Sequence, residues 1–288
     1  MDFKRIASAL IGFPGVVAIL VFANNYIVDI VISIVALIAM HEFYNAVAKE
    51  SKPIRWIGYV ACFSIAFIHI IPEVLSETVI ELIKTLFIPV TILTLFLHVI
   101  LSKMKINFKD IAYTLFGILY IAVFIMFLAL IRGIENGKVL IWYVFFSAWA
   151  TDVFAYFVGK YLGKHKFSEI SPKKTIEGCV GGTLGAVIIV LIYTYCINKF
   201  LIYEYSYIYA SIVTVLLSII SQIGDFAAST IKRYVNIKDY SELIPGHGGM
   251  LDRIDSLLFI APFAYVLFTF MWYKIMEVYF DRIFDLDN

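Results

Sequence analysis

Ionisable residues concentrate in one stretch of a chain that is otherwise strongly apolar. Only 16% of the 288 residues are charged, and 62% are hydrophobic. The segment from Asp225 to Asp255 nevertheless holds four Asp, two Lys, two Arg, one His and three Gly. Ionisable side chains at membrane depth are costly and usually functional. We therefore take this segment as the first candidate for chemistry.

The spacing of these residues predicts two acidic helix ends. If the preceding apolar helix continues to Tyr234, a polar stripe runs along it at four-residue intervals, made by Ser221, Asp225, Ser229 and Arg233. Asp252 and Asp255, three residues apart, share one face at the start of the next apolar helix. Two acidic helix ends thus flank one loop.

The loop between these ends contains the sequence PGHGG, from Pro245 to Gly249. It is too rich in glycine for a helix or a strand, and its backbone N–H groups can turn toward an anion. Carboxylates for a cation and a cradle for a phosphate are therefore expected side by side.

A second polar segment begins with Asp152 in an apolar helix and continues into the loop SPKKT, from Ser171 to Thr175, followed by Glu177. The ammonium groups of Lys173 and Lys174 suit phosphate oxygens. A basic loop lying over an anionic lipid surface is the alternative for one of these two lysines. The pair Gly159 and Gly163 fits close helix packing as well as it fits a site.

The apolar runs predict an all-α, polytopic membrane protein with about nine spans of roughly 20 residues each. They lie near 6–23, 26–43, 55–71, 84–102, 111–131, 139–159, 180–198, 207–231 and 254–280. We divide the chain into an N-terminal bundle of about five spans, 1–135, and a C-terminal catalytic region, 136–288. Its two charged loops cover 160–182 and 232–253.

Basic residues predict the orientation. With these spans, 17 of the 23 Lys and Arg fall on one side of the membrane and 6 on the other. Such an excess marks the cytoplasmic side. The N-terminus and both charged loops are expected in the cytoplasm, and the C-terminus outside the cell membrane.

This arrangement favours phosphoryl or nucleotidyl transfer at the membrane surface. Such reactions depend on positioning anions and neutralising charge, which a divalent metal on carboxylates can do.

The three Cys are scattered, without zinc or disulfide spacing. Neither GxxxxGK[ST] nor a dinucleotide fingerprint is present, and no nucleic-acid partner is expected. His41 and Glu42, at the cytoplasmic end of the second span, either reach the site or lie at the membrane interface, and we favour the interface. We interpret His69 as a packed, hydrogen-bonded residue.

The ordered motif in the charged segment resembles a known family. Ser229, Lys232, Arg233, Lys238, Asp239 and then PGHGGMLDRID, from Pro245 to Asp255, are similar to the signature of phosphatidate cytidylyltransferases. The resemblance extends to Asp152, Ala155, Tyr156, Gly159 and SPKKTIEG, and so covers most of the C-terminal half. The first five spans match only in hydropathy.

The resemblance implies that CTP and phosphatidic acid become CDP-diacylglycerol and pyrophosphate, with Mg²⁺ required. It also allows a second cation such as K⁺. It further implies that the protein forms a homodimer and that it contacts membrane lipids. The implied catalytic residues are Asp225, Asp252, Asp255, Lys232 and Arg233, the three aspartates being the metal ligands. The implied substrate-binding residues are Asp152, Ser171, Lys173, Lys174, Thr175, Glu177, Ser229, His247, Gly248, Gly249 and Arg253.

Two other functions remain open from the sequence. A CTP-dependent lipid kinase, acting on a polyprenol or phytol, would use the same ions and nucleotide. A cation-coupled transporter would also carry acids at membrane depth, but it would place them near the bilayer midplane rather than at one end.

Overall fold

The computed structural model describes residues 3–103, 105–167, 171, 174–201, 204–244, 246 and 248–284, with side chains from residue 12 to residue 270. Regular structure in these ranges is helical, apart from two isolated β-bridges, Lys166 with Thr175 and Ile244 with Gly248. The predicted all-α class is therefore confirmed. The helices are α1 (Phe3–Phe22), α2 (Asn25–Ala46), α3 (Arg55–Ser64), α4 (Ile71–Val74), α5 (Glu77–Leu101), α6 (Phe108–Gly117), α7 (Phe124–Gly133), α8 (Gly137–Leu162), α9 (Ile176–Phe200), α10 (Tyr207–Tyr234) and α11 (Leu251–Phe284). Short 3₁₀ turns at Val47–Lys49 and Ile65–Phe67 extend α2 and α3, and a π-helical segment, Ile118–Val123, joins α6 to α7.

Seven helical segments within the described ranges are long and apolar enough to cross a membrane. They are Asn25–Lys49, Glu77–Leu101, Phe108–Gly133, Gly137–Leu162, Ile176–Phe200, Tyr207–Tyr234 and Leu251–Phe270. The chain is thus an integral membrane protein. Two shorter apolar stretches are Gly12–Phe22, which is the part of α1 with described side chains, and Arg55–Phe67. The predicted count of about nine spans is not confirmed.

The chain divides into two compact units. The first contains Met1–Ala129 and Asp225–Leu258, and the second contains Leu130–Gly224 and Phe259–Asn288. Helices α10 and α11 contribute residues to both units. The predicted boundary after residue 135 separates an N-terminal bundle from a catalytic region, and it stays a prediction.

The first unit is packed around Tyr44 on α2. This side chain is fully buried, and its hydroxyl donates to the Thr114 carbonyl at 3.3 Å. Gly58 on α3 and Gly117 on α6 face the Tyr44 ring so closely that a Cβ at either would lie within 2.9 Å of it. Three helices can therefore converge on one aromatic ring, which fixes the end of α2 that carries Glu42.

At the opposite end of α2, His69 is bonded to the buried Asp29. Both its backbone N–H, at 3.1 Å, and its ring Nδ1, at 2.7 Å, contact the Asp29 carboxylate. The interpretation of His69 as a packed, hydrogen-bonded residue is confirmed.

In the second unit, α8 and α9 pack through glycine. A Cβ on Gly178 would lie 2.8 Å from the Ala155 carbonyl, and one on Gly182 would lie 2.8 Å from the Thr151 carbonyl. Gly159 belongs to the same seam, because its nearest neighbours would be Thr175 and Gly178. Small residues let helix backbones approach closely in membranes. The packing explanation for Gly159 is the one that the structure supports.

Candidate functional site

A buried ion pair lies at the start of α11 in the first unit. Lys232 Nζ, from the last turn of α10, is 2.6 Å from Asp252 Oδ1 in the first turn of α11. The exposed fractions of the two side chains are 13% and 2%. Removing one member of such a pair would leave the other charge away from water without a partner, which is costly. The predicted end of α10 at Tyr234 is confirmed, and it brings Lys232 to this position.

The other carboxylate oxygen of Asp252 organises the loop before it. Asp252 Oδ2 accepts the backbone N–H of Tyr240 at 2.8 Å and that of Gly249 at 3.0 Å. A carboxylate has about four lone-pair sites, so three are occupied by donors from the protein. Counting only donors from the described part of the chain, one acceptor site is left on Oδ1.

The glycine-rich loop has the backbone shape that its sequence suggests. Gly246 and Gly248 have φ values of 78° and 81°, in the left-handed region that glycine adopts without strain. Residues in this region let the chain reverse between α10 and α11. The N–H groups at the end of the loop, however, point to carboxylates of the protein itself.

Glu42, from α2, is one of these carboxylates. It is buried and accepts the backbone N–H of Met250 at 2.9 Å and that of Leu251 at 2.7 Å, and the hydroxyl of Ser241 at 2.5 Å. An anion at a helix N-terminus satisfies otherwise unpaired N–H groups and favours the positive end of the helix dipole. Glu42 therefore holds the first turn of α11, and with it Asp252.

Of the two positions that the sequence allows for Glu42, the structure supports contact with the candidate site rather than the membrane interface. The signal was available, since an acid inside an apolar helix has to find donors when it is buried. Nothing in the local sequence, however, indicates that those donors lie about 200 residues further along the chain.

Tyr240 lies among the same acids. Its ring centroid is 5.6 Å from Lys232 Nζ, and its buried hydroxyl has no hydrogen-bond partner among the residues that the structure describes. Burial raises the pKa of the Tyr240 phenol, and neighbouring Tyr120 and the carboxylates of Asp252, Asp255 and Glu42 raise it further. The phenol therefore stays protonated and keeps a donor available beside the carboxylates.

In the second unit, the loop after α8 folds onto the start of α9. Glu177 accepts the backbone N–H groups of Lys164 at 3.1 Å and His165 at 3.2 Å, and its Oε1 is 2.5 Å from His165 Nδ1. Thr175 Oγ1 accepts the Gly178 N–H at 3.1 Å and so caps α9. These contacts fix the shape of the loop, and the predicted substrate-binding roles of Thr175 and Glu177 stay predictions.

The remaining predicted residues fall into three groups. In the first unit, Asp255 is buried beside Asp252 on α11, Asp225, Ser229 and Gly248 are partly buried, and Arg233 and Arg253 are exposed. In the second unit, Asp152 is exposed on α8, and Ser171 and Lys174 are partly buried. Lys173 and His247 lie outside the described residues.

The carboxylates at the start of α11 are the candidate ligands for a metal ion. Within the described ranges, no three His, Cys, Asp or Glu side chains converge as a complete ligand set. Mg²⁺ commonly binds through one or two carboxylates and takes its other ligands from water and substrate phosphates. Asp252, with one acceptor site left, and the neighbouring Asp255 fit that pattern.

The sequence is similar to a family of known proteins. The profile of the "Cytidylyltransferase family" matches residues 3–271. The phosphatidate cytidylyltransferase of Bacillus subtilis (strain 168) is 38% identical over 178 residues, covering 61% of this chain and 65% of the relative. That of Staphylococcus haemolyticus (strain JCSC1435) is 36% identical over 171 residues, covering 59% and 64%. These two matches span less than two thirds of the relatives' length. That of Staphylococcus aureus (strain COL) is 33% identical over 258 residues, covering 88% and 90%.

A match from residue 3 to residue 271 includes both units, the Lys232–Asp252 pair and the loop that ends at Glu177. The chain belongs to the cytidylyltransferase family.

Proposed function

We propose that this protein transfers the cytidylyl group of CTP to phosphatidic acid, giving CDP-diacylglycerol and pyrophosphate. The observation that carries the proposal is the buried Lys232–Asp252 pair at the start of a membrane-spanning helix, with Asp255 on the same face. Family membership and the names of the relatives support the same reaction. Following the α- and γ-phosphates of CTP separately tests it.

In this reaction a phosphate oxygen of phosphatidic acid forms a bond to the α-phosphorus of CTP. The bond from that phosphorus to the oxygen bridging the β-phosphate breaks, and its electron pair leaves with pyrophosphate. A phosphate monoester has its second pKa near 6, so the attacking group is already ionised and needs no general base. The protein's task is to position anions and to neutralise charge.

Lys232 and Asp252 divide that task. Asp252 holds the ammonium group at the start of α11, where a phosphate oxygen can share it. Asp255 and Asp225 are the proposed further carboxylates for Mg²⁺, and K⁺ is the proposed second cation. Bound Mg²⁺ would supply charge stabilisation on the phosphate oxygens. The protonated phenol of Tyr240 adds a neutral donor next to these acids.

The other proposed substrate contacts are cationic or glycine-rich. Lys173, Lys174, Arg233, Arg253 and His247 are proposed to hold phosphate oxygens of CTP and the lipid. Ser171, Thr175, Glu177, Asp152, Ser229, Gly248 and Gly249 are proposed to line the substrate path. The contacts of Glu177 with the Lys164 N–H and of Thr175 with the Gly178 N–H support this, because they lie close in sequence to Lys174.

The membrane arrangement is part of the proposal. We propose that the apolar runs near 6–23 and 55–71 also cross the membrane, which together with the seven longer segments gives nine spans. The distribution of 17 basic residues against 6 then supports cytoplasmic catalytic loops, a cytoplasmic N-terminus and an external C-terminus in the cell membrane. A homodimer is proposed from the family resemblance alone.

A further inference from the structure

An open cleft lies beside the Lys232–Asp252 pair in the first unit. Its volume is about 640 Å³, and it is bounded by the end of α2, by Tyr59 on α3 and by the loop before α11. Glu42, Tyr240 and Ser241 form the wall that it shares with the candidate site. The same Tyr240 donates its backbone N–H to Asp252, and the same Glu42 holds the N-terminus of α11. A molecule in this cleft would therefore be one side chain away from the ion pair.

The cleft changes from apolar to polar along α2. Leu37 and Ile38 form its apolar part. His41 and Asn45, about one and two helical turns further along α2, form the part near the end of the helix. Because α2 is a membrane-spanning segment followed by the charged loop at Glu50, its end lies at the membrane surface and its earlier turns lie in the apolar layer. The occupant must therefore be apolar at one end and polar at the other.

The charges of the cleft exclude a phosphate. No Lys or Arg is among the described residues that line it, and its one acid, Glu42, would repel an anion. Its other polar groups include the amide of Asn45 and the hydroxyl of Tyr59, which is 2.9 Å from His41 Nδ1. Such groups suit ester oxygens. A cation beside the shared wall is Lys232, whose Nζ lies 5.6 Å from the centroid of the Tyr240 ring.

We propose that this cleft binds the glycerol-ester and upper acyl-chain portion of the lipid acceptor, and that the phosphate of the same molecule reaches past Tyr240 to Lys232. The proposal rests on the proposed function, because it takes a diacylated phosphate as the substrate. It assigns Leu37 and Ile38, on a helix outside the charged motifs, to recognition of the acyl chains.

The test is to fill the apolar part of the cleft, at Leu37 and Ile38, and to vary the acyl-chain length of the acceptor lipid. Ile38→Trp and Leu37→Trp are assayed with dioleoyl phosphatidic acid in mixed micelles and with dihexanoyl phosphatidic acid. Ile30→Trp is the matched control, because Ile30 is exposed on the same face of α2, about two turns away from the cleft. We expect the KM for the long-chain lipid to rise about tenfold in the cleft variants, with the KM values for the short-chain lipid and for CTP within about twofold of wild type.

Three results would overturn the assignment. Equal changes for both lipids would show that the cleft does not contact the chains, and a rise confined to the KM for CTP would make it a nucleotide pocket. The third result comes from an experiment on wild-type protein, which does not depend on the folding of a variant. A phosphatidic acid with a diazirine on the upper acyl chain is expected to label the peptide that contains Leu37 and Ile38. Labelling that is confined to other helices contradicts the proposal. If wild-type protein moves no α-phosphate from CTP to lipid, the proposed function fails instead, whatever the variants do.

Discussion

The carboxylate of Glu42 accepts the backbone N–H of Leu251 at 2.7 Å, across 209 residues of sequence. Leu251 begins the helix whose next residue is Asp252. A buried acid near the end of α2 thus fixes the orientation of the helix turn that carries the candidate metal ligand.

Glu42→Gln should weaken this connection. The amide keeps one oxygen acceptor but places an NH₂ group against a backbone N–H, and it removes the charge at the helix N-terminus. We expect a loss of about 2 kcal/mol in the free energy of unfolding, measured by thermal unfolding in detergent, together with a fall in kcat. Glu50→Gln is the matched control, since Glu50 is a more exposed acid just beyond the same helix and pairs with Lys109. Indistinguishable behaviour of the two variants would remove Glu42 from the account.

Asp252→Asn should abolish metal-dependent turnover. The amide has nearly the same volume, but it replaces one charged oxygen next to Lys232 and cannot accept all three of the donors that Asp252 now takes. We expect activity to fall by about 10²-fold or more, measured across a Mg²⁺ titration. Glu242→Gln, an exposed change in the same loop, should retain activity. Wild-type turnover by Asp252→Asn at low Mg²⁺ would rule out the metal assignment.

The lysines of the SPKKT loop should contribute to substrate binding. Lys173→Ala and Lys174→Ala should raise the KM for CTP or lipid, or lower kcat, by about tenfold without affecting membrane insertion. Lys166→Ala removes the same charge from the same loop and is expected to change neither constant by more than about twofold. If all three variants lose the same modest amount of activity, the loop binds an anionic lipid surface instead.

The orientation can be checked with two engineered cysteines in a protein lacking Cys62, Cys179 and Cys196. Glu242 and Leu201 are both exposed, in loops on opposite sides of α10. An impermeant maleimide should label Leu201→Cys in intact cells and Glu242→Cys only after permeabilisation. The reverse pattern would place the catalytic loops outside.

The helices and the acidic helix ends could be predicted from the sequence because both depend on local spacing. Asp225 to Arg233 form a stripe since α10 continues to Tyr234, and Asp252 and Asp255 share a face since both lie in the first turns of α11. Local patterns of this kind need no knowledge of distant residues.

The partners of the PGHGG loop could not be predicted in the same way. Its glycines suggest an open anion cradle, yet the N–H groups of Gly249, Met250 and Leu251 bind Asp252 and Glu42. Which anion fills a cradle depends on tertiary packing, here the convergence of α2 on the loop. The count of spans could not be predicted either. The apolar run near 55–71 suggested a full span, but the apolar helical stretch there is only Arg55–Phe67.

The most direct test of cytidylyl transfer is to follow two labels of CTP with phosphatidic acid as acceptor. A cytidylyltransferase moves the α-phosphate to the lipid and releases the β- and γ-phosphates together, whereas a lipid kinase moves only the γ-phosphate. We predict α-label in the lipid, γ-label in pyrophosphate, and no transfer without a divalent metal. Appearance of γ-label in the lipid without α-label would contradict the account in favour of a kinase, and label in neither, accompanied by ion flux, would favour a transporter.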